Sequence, residues 1–101
     1  FAHWGGGLLY YETMPEVKAA LQNVYYDSAA LLYLYDDRGL KIGLELAPER
    51  VLFGTDYPLI GQKRFVQRVQ QTVLDKGNLD AFMGMNTAQL LGIPLDEETL
   101  P

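Results

Sequence analysis

Arg50-Val51-Leu52-Phe53-Gly54-Thr55-Asp56-Tyr57-Pro58 is the most informative segment of this sequence, because a short apolar run leads through a glycine to a carboxylate, an aromatic residue and a proline. The run Arg50–Phe53 has the length of a buried parallel strand, and Pro58 stops the strand while it favours an extended Tyr57. Asp56 therefore follows the carboxyl end of a strand. In α/β proteins the chemistry lies at this end, because side chains that leave neighbouring strands converge on one crevice.

The composition is that of a globular domain. The chain has 101 residues, of which 49% are hydrophobic and 21% are charged. No run approaches the roughly 18 apolar residues of a membrane span, and the start has no signal-peptide pattern, so we expect no membrane contact and a cytoplasmic location. A net charge of −5 without a cluster of Lys and Arg argues against nucleic-acid binding.

The chain contains no cysteine and one histidine, His3. Disulfides and thiolate metal sites are therefore excluded, and a metal ion could be bound only through His, Asp or Glu side chains. The histidine lies in Phe1-Ala2-His3-Trp4-Gly5-Gly6-Gly7. The apolar pair before it resembles the tail of a strand, and the three glycines after it indicate a tight turn.

Segments typical of strands and helices alternate along the rest of the chain. Asn23–Ser28 is a second strand-like run, and Ala29–Tyr35 fits either a loop or a short helical turn. The sequence predicts helices at about Met14–Gln22, Asp36 or Asp37 to Leu46, Gln62–Leu74 and Leu79–Met85, and a further helix that begins at Asn86.

Local signals predict where some of these elements begin and end. Thr13 and Glu16 have the spacing of a capping box, and Asn86 and Gln89 repeat that spacing. Lys76-Gly77-Asn78 is predicted to be a turn. Residues 94–101 are predicted to form an acidic C-terminal tail.

Polar residues follow the three predicted strands at His3, Asp27 and Asp56, with spacings of 24 and 29 residues. Each spacing is about one βα unit, and right-handed crossovers would place all three residues at one edge of a parallel sheet. A (β/α)₈ barrel needs about 250 residues, so in a barrel this chain would form three of the eight units. An open three-stranded α/β domain is the alternative, although it would leave unpaired edges on both outer strands.

The residues alone also allow simpler interpretations. Asp56 could cap the turn before Pro58, and His3 could be an exposed histidine without a role. Asp27 and Ser28 are expected to form loop hydrogen bonds rather than to take part in catalysis.

Four segments together resemble the C-terminal portion of the amidohydrolase-related family, in the family's order and spacing. They are Ala2–Gly7, Asn23–Ser28, Arg50–Pro58 and Met85–Leu91. That family contains metal-dependent TIM-barrel enzymes, including hydrolases and non-oxidative decarboxylases of the aminocarboxymuconate-semialdehyde decarboxylase type. The resemblance implies an α/β fold in which residues 1–93 form the C-terminal three βα units of a (β/α)₈ TIM barrel plus the closing C-terminal helix.

The resemblance also implies roles for individual residues. Asp56 matches the aspartate that ends strand eight, a metal ligand that also accepts a proton from the metal-bound water. His3 matches the histidine that ends strand six, which binds a second metal or acts beside that water as acid, base and electrophile. Asn86 matches a structural asparagine that opens the closing helix. Trp4 departs from the family, which more often has glycine there, and is expected to reshape the floor of the pocket.

The implied function is part of a metal-dependent hydrolase, or of a closely related decarboxylase, that acts on a small organic substrate carrying a carboxylate. The implied cofactor is a divalent metal ion, zinc, bound by His3 and Asp56. The strand-one His-x-His pair and the histidine or modified lysine of the middle strands are not in this sequence. The chain is therefore expected to be inactive alone.

Two kinds of partner follow from that expectation. The chain would need the missing N-terminal barrel strands of the same protein to complete its site. The unpaired sheet edges also predict self-association as a homo-oligomer. The alternative function is a non-catalytic fragment or association module without an independent active site.

Overall fold

The computed structural model describes residues 1–73 and 75–94. The predicted acidic tail, apart from residue 94, lies outside these residues, and so does Leu74 at the predicted end of the third helix. Within the described ranges, no helix has the length and apolar character needed to cross a membrane.

The sheet consists of two short parallel strands, each inside a segment that the sequence predicts to be a strand. They are β1 (Tyr26–Asp27) and β2 (Val51–Leu52). Tyr26 lies opposite Val51 in the register, and both side chains are fully buried. Parallel pairing places the carboxyl ends of both strands at the same edge of the sheet.

Phe1 continues this sheet on the other side of β1. Its amino group donates to the Tyr25 carbonyl at 2.7 Å, and its own carbonyl accepts from the Asp27 amide at 2.9 Å. In a parallel pair, the N–H and C=O groups of one residue bond to two residues of the neighbouring strand that are two positions apart. The chain before His3 is therefore aligned with β1 and β2.

Helical segments make up most of the remaining described structure. In chain order they are a single turn at His3–Gly6, a 3₁₀ helix at Leu8–Thr13, α1 (Pro15–Ala20), α2 (Leu31–Leu34), α3 (Asp37–Leu46), α4 (Gln62–Thr72), α5 (Lys76–Asp80), a π-helical turn at Ala81–Met85 and α6 (Asn86–Leu91). The helices α2 and α3 connect β1 to β2, as a parallel crossover requires. The ambiguous segment after β1 is thus partly helical.

The helix caps agree with the sequence at one place and differ at another. Asp36 caps α3 as predicted, because its side chain accepts a hydrogen bond from the Arg38 amide at 2.9 Å. The capping box predicted at Thr13 is wrong. Thr13 belongs to the 3₁₀ helix and donates to the Tyr10 carbonyl, so Met14 precedes α1 without a side-chain cap.

The C-terminal helical region is more continuous than predicted. The turn expected at Lys76–Asn78 is wrong, because Asp75 accepts from the Asn78 amide at 2.9 Å and starts α5 there. Asn86 is not an N-cap, since its backbone is helical and the π-helical turn precedes it directly. Its side-chain amide instead donates to the carbonyls of Pro48 and Val51, at 2.7 and 2.9 Å. Asn86 therefore anchors the last helix to β2.

Aromatic rings from distant segments meet in the core. The Phe82 ring contacts Trp4, Phe53 and Phe65 at angles between 66° and 88°, with centroids 6.2, 5.6 and 6.5 Å away. Such edge-to-face contacts are the favoured geometry for aromatic pairs. This cluster joins the N-terminal turn, the residue after β2, α4 and the π-helical turn.

Trp4 packs directly on α3, where Gly43 leaves room for its ring. Its indole N–H donates to the Gly39 carbonyl at 3.0 Å, and a Cβ at Gly43 would lie only 2.5 Å from Nε1 of Trp4. The ring is fully buried. The expectation that Trp4 reshapes a pocket floor is therefore wrong, because the side chain is part of the core.

A buried ion pair lies at the amino end of the sheet. Arg50, just before β2, contacts both carboxylate oxygens of Glu12, which is only 2% exposed. Nη1 of Arg50 also donates to the carbonyls of Leu21 and Val24, at 2.8 and 3.2 Å. The Tyr26 hydroxyl donates to Glu12 at 2.7 Å. These bonds tie the 3₁₀ helix and the end of α1 to both strands.

The network keeps its members in the protonation states that these bonds need. Burial alone would raise the pKa of the Glu12 carboxyl, but hydrogen bonds from Arg50 and Tyr26, with the nearby positive charges, lower it below its ordinary 4.5. Burial and the bond to Glu12 raise the pKa of Tyr26 to about 12. At neutral pH the acceptor is therefore ionised and the phenol remains a donor.

An added methyl group at position 43 should disrupt the Trp4 packing. We expect Gly43→Ala to lower the free energy of unfolding by about 1–3 kcal/mol, because the new carbon would overlap the indole ring. Gly84→Ala is the control, since a Cβ there meets no side chain or other segment within 4 Å in the described part of the chain. The control should be neutral or stabilising by up to about 1 kcal/mol. Equal unfolding midpoints in urea for the two variants would contradict this packing.

The Glu12 ion pair should make stability depend on pH in the acid range. Since its folded pKa lies below 4.5, its contribution is complete above that pH and is lost as the pH falls through the folded value. Glu12→Gln should cost about 3–5 kcal/mol at neutral pH and flatten this acid dependence. Asp37→Asn, which removes an exposed pair with Arg68, should cost less than about 1 kcal/mol. The free energy of unfolding is measured by denaturation across the acid range. If it fell with pH in parallel for the wild type and Glu12→Gln, the role of Glu12 would be contradicted.

Candidate active site at the carboxyl ends of the strands

The predicted site residues lie at one edge of the sheet. His3 follows the segment that pairs beside β1, Asp27 ends β1, and Asp56 follows β2. Because the three segments run parallel, their carboxyl ends share this edge. The sequence prediction of a common edge agrees with this arrangement, whereas the chemical roles of the residues stay predictions.

His3 is half-buried, and one of its ring nitrogens is occupied. Nδ1 lies 2.5 Å from the carbonyl oxygen of Ala29. A carbonyl can only accept, so Nδ1 carries a proton, and in the neutral ring Nε2 then keeps the lone pair. Nε2 is therefore the nitrogen available to a metal ion or a substrate proton.

The backbone that carries His3 is strained. His3 and Trp4 have positive φ angles of 55° and 57°, and Gly5, Gly6 and Gly7 continue this left-handed turn. This backbone conformation costs a residue other than glycine about 1–2 kcal/mol of conformational energy. The glycines explain how the turn is possible, but the two residues before them must be held by tertiary contacts.

Asp56 is exposed and also has a left-handed backbone, with φ 67°. The turn after it is closed by the main chain, because the Leu59 amide donates to the Asp56 carbonyl at 2.8 Å. Within residues 1–73 and 75–94 the Asp56 carboxylate makes no hydrogen bond or salt bridge. The side chain does not cap this turn, so its oxygens are available as ligands or proton acceptors.

Hydrogen bonds link the loops after the strands. The Ser28 hydroxyl donates to the Gly54 carbonyl at 2.7 Å and accepts from the Gly54 amide at 2.9 Å. Asp27 accepts from the Ala29 amide at 3.0 Å, as the sequence predicts for a loop. The Ala30 amide donates to the Thr55 carbonyl at 3.3 Å. The residues after β1 thus bridge the loops that carry His3 and Asp56.

The donors present at this edge do not complete a metal site. Among the residues that the structure describes, no three His, Asp or Glu side chains are grouped closely enough to hold a metal ion. His3 and Asp56 are therefore two donors without a third. An open groove of ≈ 940 Å³ lies elsewhere, at the amino ends of the strands, where its lining includes Lys18, Tyr25 and Arg50.

Two residues that matter at this edge carry no signal in the sequence. Ala29 contributes only its carbonyl, which orients the His3 ring, and any residue could supply that group. Tyr35 donates its hydroxyl to the His3 carbonyl at 3.1 Å, across 32 positions of sequence. Only the folded arrangement shows either contact.

Comparison with protein-family models matches residues 1–93 to a model described as Amidohydrolase. The matched residues include the left-handed turn, both strands and every helix from α1 to α6. Comparison with curated proteins found no match.

Loss of the Ser28 hydroxyl should loosen the loop before Asp56. We expect Ser28→Ala to cost about 1–3 kcal/mol, because both backbone groups of Gly54 would lose their partner in a part-buried place. Thr13→Val is the control, since the Thr13 hydroxyl makes one exposed bond and its loss should cost less than about 1 kcal/mol. Hydrogen exchange of the Gly54 amide measures the local effect, and unchanged exchange in Ser28→Ala would contradict this role.

Proposed function

The chain belongs to the amidohydrolase family, and on that basis we propose that it supplies part of the active site of a metal-dependent enzyme. The reaction is hydrolysis, or a closely related non-oxidative decarboxylation, of a small organic substrate that carries a carboxylate. The observation that carries this proposal is the pair of available donors at one sheet edge, Nε2 of His3 and the carboxylate of Asp56.

These two side chains fit a divalent metal such as zinc. Zinc in enzymes is bound by histidine nitrogen and carboxylate oxygen. Metal-binding histidines usually donate their other ring N–H to a carbonyl or carboxylate, and the bond from His3 to Ala29 has this form. When bound, the metal would lower the pKa of a water molecule and so supply a nucleophile near neutral pH.

The residues of this chain would handle protons and charge around that centre. The free carboxylate of Asp56 would accept a proton from the attacking water, since it has no competing partner within the described residues. Where Nε2 of His3 does not bind the metal, it would instead take up and return a proton, and in its protonated form it would stabilise developing negative charge. The Ala29 carbonyl would keep Nδ1 protonated throughout.

We also propose that further ligands come from barrel strands outside this sequence. Three neighbouring parallel segments, each followed by helices, are consistent with three βα units of a (β/α)₈ barrel. Catalytic residues of barrel enzymes come from the ends of several strands. Three of the eight units are therefore expected to supply only some of the metal ligands, here two.

A non-catalytic association module is the second candidate. It is favoured by the lack of three grouped ligand side chains within the described residues. Metal analysis separates the two functions. A catalytic protein should hold zinc stoichiometrically when all its barrel strands are present, whereas an association module should hold none.

Two substitutions of Asp56 test its proposed role in the protein that contains the complete barrel. Asp56→Asn removes the negative charge but keeps a residue that tolerates a left-handed backbone. Asp56→Gly removes the side chain and relieves that backbone, so it should preserve or raise stability by up to about 1 kcal/mol. Both should lose bound zinc and about 10²–10⁴-fold in turnover.

The exposed acid Asp37 on α3 provides the control. Asp37→Asn removes a carboxylate that pairs with Arg68 and is not among the proposed site residues. Zinc content is measured by elemental analysis, and turnover with panels of carboxylated amides, esters and decarboxylation substrates. Wild-type zinc content and turnover in Asp56→Asn would show that the assignment is wrong.

A further inference from the structure

The turn that presents His3 needs support from outside itself. Five consecutive residues from His3 to Gly7 have positive φ, and the first two are not glycine. Within the turn, the Gly5 amide donates to the Ala2 carbonyl at 2.8 Å. That bond closes the turn, and the His3 carbonyl also accepts from a side chain of another element. The side chains that hold this turn therefore decide where the imidazole lies.

Tyr35, at the end of α2, provides that side chain. Its hydroxyl donates to the His3 carbonyl at 3.1 Å in a partly buried position. A tyrosine hydroxyl is protonated throughout the neutral range, so it can donate this bond. The other side of His3 is held by the bond from Nδ1 to Ala29. The residue is thus fixed at its backbone and at its ring.

The position of Tyr35 is itself restricted by close packing. Its ring meets the Tyr10 ring edge-on, with centroids 5.6 Å apart. The Tyr10 hydroxyl donates to the Gly39 carbonyl at 3.0 Å. A Cβ at Gly39 would lie 2.6 Å from Cβ of Tyr35, so glycine is needed for this approach. Trp4 donates to the same carbonyl. The start of α3 therefore clamps both Tyr35 and the residue after His3.

We propose that Tyr35 is a positioning residue for His3, whose hydroxyl holds the left-handed peptide so that Nδ1 stays on Ala29 and Nε2 faces the reaction. This inference deepens the proposed function and rests on it for its catalytic meaning. The structural part stands by itself, because the orientation of the ring can be measured without any substrate. Tyr35 does not touch the reacting atoms and acts only through His3.

Tyr35→Phe tests this role in the intact protein, because it removes the hydroxyl and keeps the ring that packs on Tyr10. Tyr33→Phe is the matched control, since Tyr33 lies two residues earlier in α2 and is 61% exposed. Nitrogen NMR of labelled histidine in the zinc-free protein reports the tautomer, with His3→Gln identifying the His3 signals. The wild type and Tyr33→Phe should show a single Nδ1-protonated form. Tyr35→Phe should show a mixture of the two tautomers.

Kinetics supply the second measurement. Tyr35→Phe should lower kcat by about tenfold, with KM changed less than twofold and a shifted pH profile, because only the orientation of a proton-handling group changes. Incorporation of 3-fluorotyrosine at position 35 keeps the ring and makes the hydroxyl a stronger donor. It should retain the single tautomer and the wild-type pH profile, even if Tyr35→Phe fails to fold.

The outcomes separate the two proposals. An unchanged His3 tautomer in folded Tyr35→Phe would overturn the positioning role, whatever the activity. A changed tautomer with unchanged turnover and pH profile would keep the contact but overturn its link to catalysis through His3. A folded protein whose 3-fluorotyrosine form loses the single tautomer would also overturn the inference.

Discussion

A buried carboxylate, Glu12, joins segments that the sheet alone could not hold. Each strand is two residues long, so the ladder between them supplies few hydrogen bonds. Arg50 and Tyr26 bring both strands to Glu12, and Arg50 adds the carbonyl groups that end α1 and precede β1. A buried ion pair of this kind is costly to break, because either partner alone would leave an uncompensated charge in the interior. Because hydrogen bonds are directional, the bonds from Arg50 and Tyr26 to Glu12 also align the amino ends of the two strands.

The two ends of the sheet differ in how their polar groups are used. At the amino end, the charged groups are satisfied by one another and by backbone carbonyls. At the carboxyl end, His3 keeps one free ring nitrogen, Asp56 keeps a free carboxylate within the described part of the chain, and Ala30 joins them in adopting a positive φ. Strained backbone persists where surrounding contacts over-determine it, and such places are often functional. The hydrogen-bonded amino end of the sheet thus holds in place the strands whose other end carries the free nitrogen of His3 and the free carboxylate of Asp56.

Sequence reasoning succeeded where the signal was local and failed where a distant partner decided the outcome. The cap at Asp36 and the positions of both strands follow from short patterns. The pair of Glu12 and Arg50 joins residues 38 positions apart, and spacing gave no sign of it. Asn86 has the local pattern of an N-cap, but its backbone is helical and its side-chain amide donates to the carbonyls of Pro48 and Val51. Tyr35 looks like one of several packing tyrosines until its contact with the His3 turn is seen. The predicted metal roles remain hypotheses, because no pattern in this chain fixes the other ligands.

The contact between Trp4 and Gly43 has an evolutionary consequence. The indole ring occupies the place where a side chain at position 43 would begin, so the sizes of the two residues are complementary. A lineage that acquired the large ring would pack it best with glycine on the facing turn of α3. Conversely, where the residue after the histidine is small, the helix is free to carry a larger side chain. The two positions should therefore vary together among homologues, and a change at either one alone would pass through a poorly packed intermediate.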